Sequence, residues 1–367
     1  MNVKIESDVP PPTSAKKTRT KKADTIVNSA KKLIDAITFV KPKTVKPIEI
    51  YERNVLFCGG HVISYCNDIL IAHPIDEEFY ACPEIKLLLT ALAHVKSNVS
   101  FTLTDVLTVT SGVYRASVPC RRPQDYPALP APDPDPMPVT STLQRALREV
   151  LPACDTSRSD YPSVLIQGQT VVATCGHTLI ESWHGLPLPE LRIPIRVAEL
   201  VAKSKLPLTG IAHSDSSVTF YFENGALIRT ELVETAFPNY EHLFEIPNMT
   251  TVQIPDNLFT GLKAVEMFSV NQHVYFHNGS LKSSNSDGLE AASYEIPYLS
   301  DNIAFSADSM KRAQHIFKNV HFSIERKCAV MMTDISRAII SSVDISVASG
   351  EYIVEKKSGT DEDDIPF

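Results

Sequence analysis

The chain repeats one order of elements three times. Helix openings at Pro83, Pro194 and Ser306 stand 111 and 112 residues apart, a period the size of a domain rather than the roughly 20–50 residues of a solenoid unit. The three stretches read "CPEIKLLLTALAHVKSNVSFTLTDVLTVTSG", "IPIRVAELVAKSKLPLTGIAHSDSSVTFYFENG" and "FSADSMKRAQHIFKNVHFSIERKCAVMMTDISR". Each predicts a capped helix and then two strands of alternating apolar residues around a polar turn. Upstream of each lies a further helix and a β-hairpin. The hairpins are "NVLFCGGHVISYC", "TVVATCGHTLIES" and "SLKSSNSDGLEAAS", with Gly60, Gly176 and Gly288 at corresponding turn positions that favour positive φ.

A length of 367 residues with 43% hydrophobic content suits two to three domains. Residues 1–22 read as a flexible basic arm. The first domain, 23–122, opens on "ADTIVNSAKKLIDAITFV", where Ile26, Ala30, Leu33 and Ile37 form one apolar stripe. Prolines in "PQDYPALPAPDPDPMPVTST" exclude both helix and central strand, so 123–139 is a linker. The second domain, 140–247, opens on "TSTLQRALREVLPA", with Leu143, Leu147, Val150 and Leu151 on one face and Arg145 and Arg148 off it. The third, 248–354, opens on "PDNLFTGLKAVEMFSV", with Leu258, Leu262 and Val265 inward and Lys263 on the other side. An acidic tail, 355–367, follows.

No apolar run approaches the ~18 residues that span a bilayer, and the charged N-terminus lacks a signal-peptide core, which predicts a soluble cytoplasmic protein without membrane contact. Seven scattered cysteines read as free thiols. Cys58 with His61, and Cys175 with His177, have no second pair at zinc spacing and no third orienting group. With no phosphate-cradling glycine loop either, the expectation is a protein without catalysis, metal or cofactor. The net charge of −8 argues against nucleic acid in total, but the basic residues gather on particular helices, and distribution decides.

Over residues 23–354 the chain resembles the bacterial DNA polymerase III β sliding clamp family, three-domain proteins whose two copies close head to tail around duplex DNA. The resemblance rests on "VVATCGHTLI", on "ELVETAFPNYEHLFEIP", which resembles the family's Phe-Pro-Asp-Tyr segment, on its weaker counterpart "SVPCRRPQDYPAL", and on "CAVMMTDISRAI". It implies an α+β fold of three repeated clamp domains, helices inside and sheets outside. The function implied is a homodimeric processivity factor that encircles double-stranded DNA and tethers polymerase and clamp loader, in a phage or diverged bacterial replisome. The basic bore would hold Lys31, Lys32 and Lys86, then Arg145, Arg148, Arg196 and Lys203, then Lys263, Lys311, Arg312 and Lys318. Weak, sequence-blind phosphate contacts there permit sliding. A partner-peptide pocket would use Thr174, Gly176, His177, Thr178 and Leu179, then Pro238, His242 and Leu243, and finally Ile353 and Val354. The chain departs from the family at Cys175, usually acidic, at Thr178, usually basic, and in "EYIVEKKSG", where the family has an apolar terminal strand.

The segment "SGTDEDDIPF" resembles the acidic tip of bacterial single-stranded-DNA-binding protein. That resemblance implies Phe367 in an apolar pocket, with Asp363 and Asp364 on a basic rim beside Ile365 and Pro366. The partners implied are host proteins that read such tips, including a clamp-loader subunit. A second reading keeps the clamp fold without encirclement, as a decoy or adaptor that binds host replication proteins. Three repeats per chain favour a dimer over the trimeric ring of two-domain clamps.

Overall fold

The computed structural model describes residues 28–41, 50–95, 98–155, 161–269, 271–286, 288–297, 299–300, 302–314 and 316–349. Seven helices recur along them: α1 (Ala30–Val40), α2 (Ile85–Ala93), α3 (Ser141–Val150), α4 (Ile195–Lys203), α5 (Leu258–Glu266), α6 (Ala307–Arg312) and α7 (Ile345–Ser349). Helices α2, α4 and α6 open one or two residues after Pro83, Pro194 and Ser306, as the repeat predicts. The apolar stripes lie where the 3.6 period puts them. In α3, Leu143, Ala146, Leu147 and Val150 are buried, and in α5 Leu258, Gly261, Leu262 and Val265, both at i, i+3, i+4 and i+7. Helix α1 buries Ala30, Leu33 and Ile37 but begins seven residues later than "ADTIVNSAKK" suggests. Asn28 and Ser29 are instead extended and pair with Val99 and Asn98.

The described chain divides into two compact units, Met1–Ser141 with Ser204–Leu232, and Thr142–Lys203 with Val233–Phe367. Each unit holds two antiparallel sheets, and its larger sheet joins strands of successive sequence blocks. In the first unit the larger sheet runs Leu56–Cys58, His61–Cys66, Ile69–Pro74, Leu227–Glu231, Ser217–Phe222, Leu208–His213, Met137–Pro138. Ile71 opposite Ile228 and Ala72 opposite Leu227 make the joint between the first and second blocks. The smaller sheet runs Asn28–Ser29, Asn98–Leu103, Val106–Ser111, Tyr114–Arg121, Cys82–Pro83.

In the second unit the larger sheet runs Ser163–Thr174, Thr178–Pro194, Ser336–Ser341, Cys328–Met332, Asn319–Ser323, Val252–Gln253. Here Ile180 opposite Ala338 joins the second block to the third. The smaller sheet runs Glu290–Glu295, Ser280–Ser284, His273–His277, Ile303–Ser306. Central strands such as His61–Cys66, Ser217–Phe222 and Cys328–Met332 are largely buried, which fixes their register, whereas the edge strands Met137–Pro138 and Val252–Gln253 are exposed. The repeat glycines serve the turns: φ is +70° at Gly60, +88° at Gly176 and +75° at Gly288, a region costly for any other residue.

The proline-rich linker has only a 3₁₀ turn (Pro123–Asp125) and an edge strand (Met137–Pro138), in keeping with its composition. It is nonetheless fastened down. Asp133 is 5% exposed; its carboxylate accepts from Ser217 Oγ at 2.6 Å and Thr219 Oγ1 at 2.7 Å, and its carbonyl accepts from the Tyr221 hydroxyl. Nothing in the linker's composition announces this anchor, because the partners lie more than eighty residues away.

Candidate functional site

The eleven cations that the sequence assigns to DNA fall into three groups by what they touch. Lys31, Lys86, Arg196 and Lys263 are exposed on helices and Lys318 is exposed just before the strand Asn319–Ser323; none of the five forms an ion pair among the described residues. Lys32, Lys203 and Lys311 pair with Asp76 (3.7 Å), Glu199 (3.1 Å) and Glu266 (2.9 Å). The Lys32 and Lys203 pairs are exposed and therefore weak, whereas Lys311 and Glu266 are both partly buried.

Arg145, Arg148 and Arg312 are engaged within the fold. Arg148 donates through Nε and Nη2 to the Ala202 carbonyl at 3.2 and 3.0 Å. That carbonyl belongs to the last turn of α4, where no intrahelical N–H reaches it, so the guanidinium acts as a C-terminal cap and offsets the helix dipole. Arg312 does the same for the 3₁₀ turn Leu151–Ala153, donating to the Pro152 and Cys154 carbonyls at 2.9 Å. Arg145 holds Glu149 at 3.1 Å and donates to the Trp183 carbonyl at 2.6 Å. Glu149 in turn accepts from Ser182 Oγ (2.7 Å) and Ser336 Oγ (2.6 Å), so one carboxylate ties α3 to two adjacent strands.

The pocket residues gather around the hairpin between Ser163–Thr174 and Thr178–Pro194. Thr174 Oγ1 donates to the Thr178 carbonyl and accepts from the Gly176 N–H, each at 3.0 Å, while Ser341 N–H donates to the His177 carbonyl at 2.9 Å. Gly176 and His177 are exposed, whereas Thr174, Thr178 and Cys175 are buried, with no hydrogen-bond partner at Thr178 Oγ1.

Leu179 is 4% exposed and packs in a cluster with Leu165, Val172, Tyr240, Cys328, Val330 and Ile339, against which Phe237, Phe244 and Ile246 rest. It is therefore a floor residue of the site. Pro238, His242 and Leu243 stand exposed in or beside the 3₁₀ turn Glu241–Phe244, available to a ligand. Ile353, Val354 and the tip Asp363, Asp364, Ile365, Pro366 and Phe367 lie outside the described residues.

Sequence reasoning missed the polar bracket around this floor. Tyr240 O–H donates to Glu181 Oε1 at 3.3 Å, Arg337 pairs with the other oxygen of Glu181, and the Arg337 guanidinium lies 3.9 Å above the Phe244 ring. Burial, followed by the Glu181 charge, pushes the Tyr240 hydroxyl up to about 12, so it stays a donor. Two depressions flank the bracket. One, about 250 Å³, is bordered by Leu165, Phe237 and Pro238; the other, about 300 Å³, by Trp183, Met332 and Ile335. The i, i+2, i+4 spacing of Leu179, Glu181 and Trp183 was the signal available, since a strand puts those three on one face.

The architecture is that of the bacterial sliding clamps. Among solved structures the chain is similar to the DNA polymerase III β-subunit clamp of Bartonella birtlesii, with TM-score 0.74 and 16% identity over 87% of this chain and 99% of that one. It is likewise similar to the Caulobacter crescentus clamp (0.73, 17%, 87% and 98%) and the Pseudomonas aeruginosa clamp bound to griselimycin (0.71, 16%, 87% and 98%). No protein-family profile and no curated protein sequence matches the chain. Among the described residues no disulfide joins any of the seven cysteines, no helix is long and apolar enough to cross a membrane, and no cluster of His, Cys, Asp or Glu could hold a metal ion.

Proposed function

We propose that this protein is a sliding clamp, a non-catalytic processivity factor that closes as a homodimer around duplex DNA and tethers polymerase and clamp loader in a phage or diverged bacterial replisome. The observation that carries the reading is the fold likeness over nearly the full length of clamps, combined with exposed, unpaired cations on helices of all three sequence blocks. Three repeated domains per chain, 23–122, 140–247 and 248–354, would then supply half of a six-domain ring.

Ring closure is supported by two sheet edges. Tyr114–Val118 lacks a partner on its outer side among the described residues, because Cys82–Pro83 covers only Cys120 and Arg121; Glu290–Glu295 is likewise open on one side. Open edges invite pairing. The first carries Arg115 and the second Glu290 and Glu295, of which Glu290 already holds Lys282, charges that suit antiparallel addition between two copies.

Leu243, Pro238 and the Glu181–Arg337 bracket would receive partner peptides, and the acidic tip would engage host proteins that read single-strand-binding-protein tails. Sedimentation of the full chain tests the ring: a dimer is expected. A monomer at all concentrations would favour the decoy reading instead.

A further inference from the structure

We infer that the acidic C-terminal segment of one copy is the ligand of an arginine pocket on the other, a clasp beside the ring seam. The inference rests on the seam proposed above. In the first unit, Arg53, Arg121 and Arg122 line a pocket of about 550 Å³ together with Pro119 and Cys120. Arg122 holds Asp125 at 3.2 Å, leaving Glu84 as the other carboxylate there. Arg53 and Arg121 are exposed and make no ion pair among the described residues. Arg115, three alternations before Arg121 on the same strand face, extends the cationic strip along the open edge.

What faces this strip in a seam is the strand Glu290–Glu295 of the second copy. Helix α7 packs on the neighbouring strands of that same sheet, burying Ala348 against Tyr275 and Ala304. Residues 350–367 follow α7 and can extend about 60 Å at ~3.4 Å per residue, so a tail rooted on that sheet has ample reach to the adjoining arginines. Within it, Asp361, Glu362, Asp363 and Asp364 supply four successive carboxylates, followed by the apolar Ile365, Pro366 and Phe367, matching a pocket lined by three arginines together with Pro119 and Cys120. A clasp of this kind tightens the closed ring and loosens in salt. A partner that captures the tail would also weaken the seam.

The test compares the full chain, a version ending at Val354, and Arg53→Glu with Arg121→Glu, by sedimentation equilibrium, alongside titration of a labelled peptide of residues 355–367. Truncation and charge reversal are each expected to weaken the dimer about tenfold at moderate salt, with no further loss when combined. The peptide should bind the truncated chain and lose that binding with the reversed arginines; Arg53→Gln with Arg121→Gln should give an intermediate loss. Peptide affinity indifferent to Arg53 and Arg121 overturns the assignment, as do additive effects on the dimer. A full chain that never dimerises removes the seam reading, and the peptide titration then decides the pocket's ligand alone.

Discussion

The Arg148 guanidinium donates to the Ala202 carbonyl at 3.0 Å, so a residue that the charge pattern assigns to DNA serves as the cap of a helix. Arg148→Ala is expected to cost about 1–2 kcal/mol of stability, the worth of a charged donor on an orphan helix carbonyl. Denaturant midpoints measure the loss. The salt dependence of DNA binding by the folded variant should change little.

The opposite outcome is expected for cations with nothing to hold inside the fold. Replacing Lys86, Arg196 or Lys263 by Ala should leave stability within about 0.5 kcal/mol. Each replacement should lower the slope of log affinity against log salt by about 0.9 if the side chain meets a phosphate. Binding titrations at several salt concentrations separate these residues from Arg148.

Leu179 and Leu243 should part company as well. Leu179 is buried in the floor cluster, and Leu179→Ala is expected to destabilise by about 2–4 kcal/mol through the cavity it leaves. Leu243 is 40% exposed, and Leu243→Ala should weaken partner-peptide binding about tenfold with the melting temperature nearly unchanged. Calorimetry and peptide titration on the two variants make the comparison.

Asp133 holds the linker to the sheet through Ser217 and Thr219. Asp133→Ala leaves those hydroxyls without their acceptor and should cost about 2–3 kcal/mol. It should also expose the segment around Pro130–Pro136 to proteolysis, which limited digestion reads directly.

Burial lowers the proton affinity of His73, His184 and His273. His73 Nε2 accepts from the Asn224 side-chain amide at 2.8 Å while its Nδ1–H donates to the Pro74 carbonyl, so a second ring proton would displace Asn224. Because the folded state holds these protons more weakly than the unfolded state, stability is complete above the ordinary histidine range. It declines as pH falls below about 6.5 towards the lowered folded values. Urea midpoints at pH 7.5 and 5.5 should show the decline, and His73→Gln should reduce it.

The repeat was legible because it is written in local terms. A stripe such as Leu258, Leu262 and Val265 declares a helix, and Gly60, Gly176 and Gly288 declare turns, without reference to distant residues. The side-chain roles were not legible where they depend on pairing between remote segments. Charge pattern treats Arg145 and Lys263 alike, yet the first is bound to Glu149 and Trp183 and the second is free in solvent. Glu181 likewise becomes part of the candidate site only when Tyr240 and Arg337 are folded against it. The compact units also escaped the repeat, because the larger sheets cross from one block to the next, as at Ile71 with Ile228.

Encirclement of DNA is tested most directly by retention on a nicked circular duplex, washed in high salt and then cut once by a restriction enzyme. The clamp reading predicts protein that stays on the circle through the wash and leaves when the ends are made. Equal retention before and after cutting, or none on the circle, would contradict it.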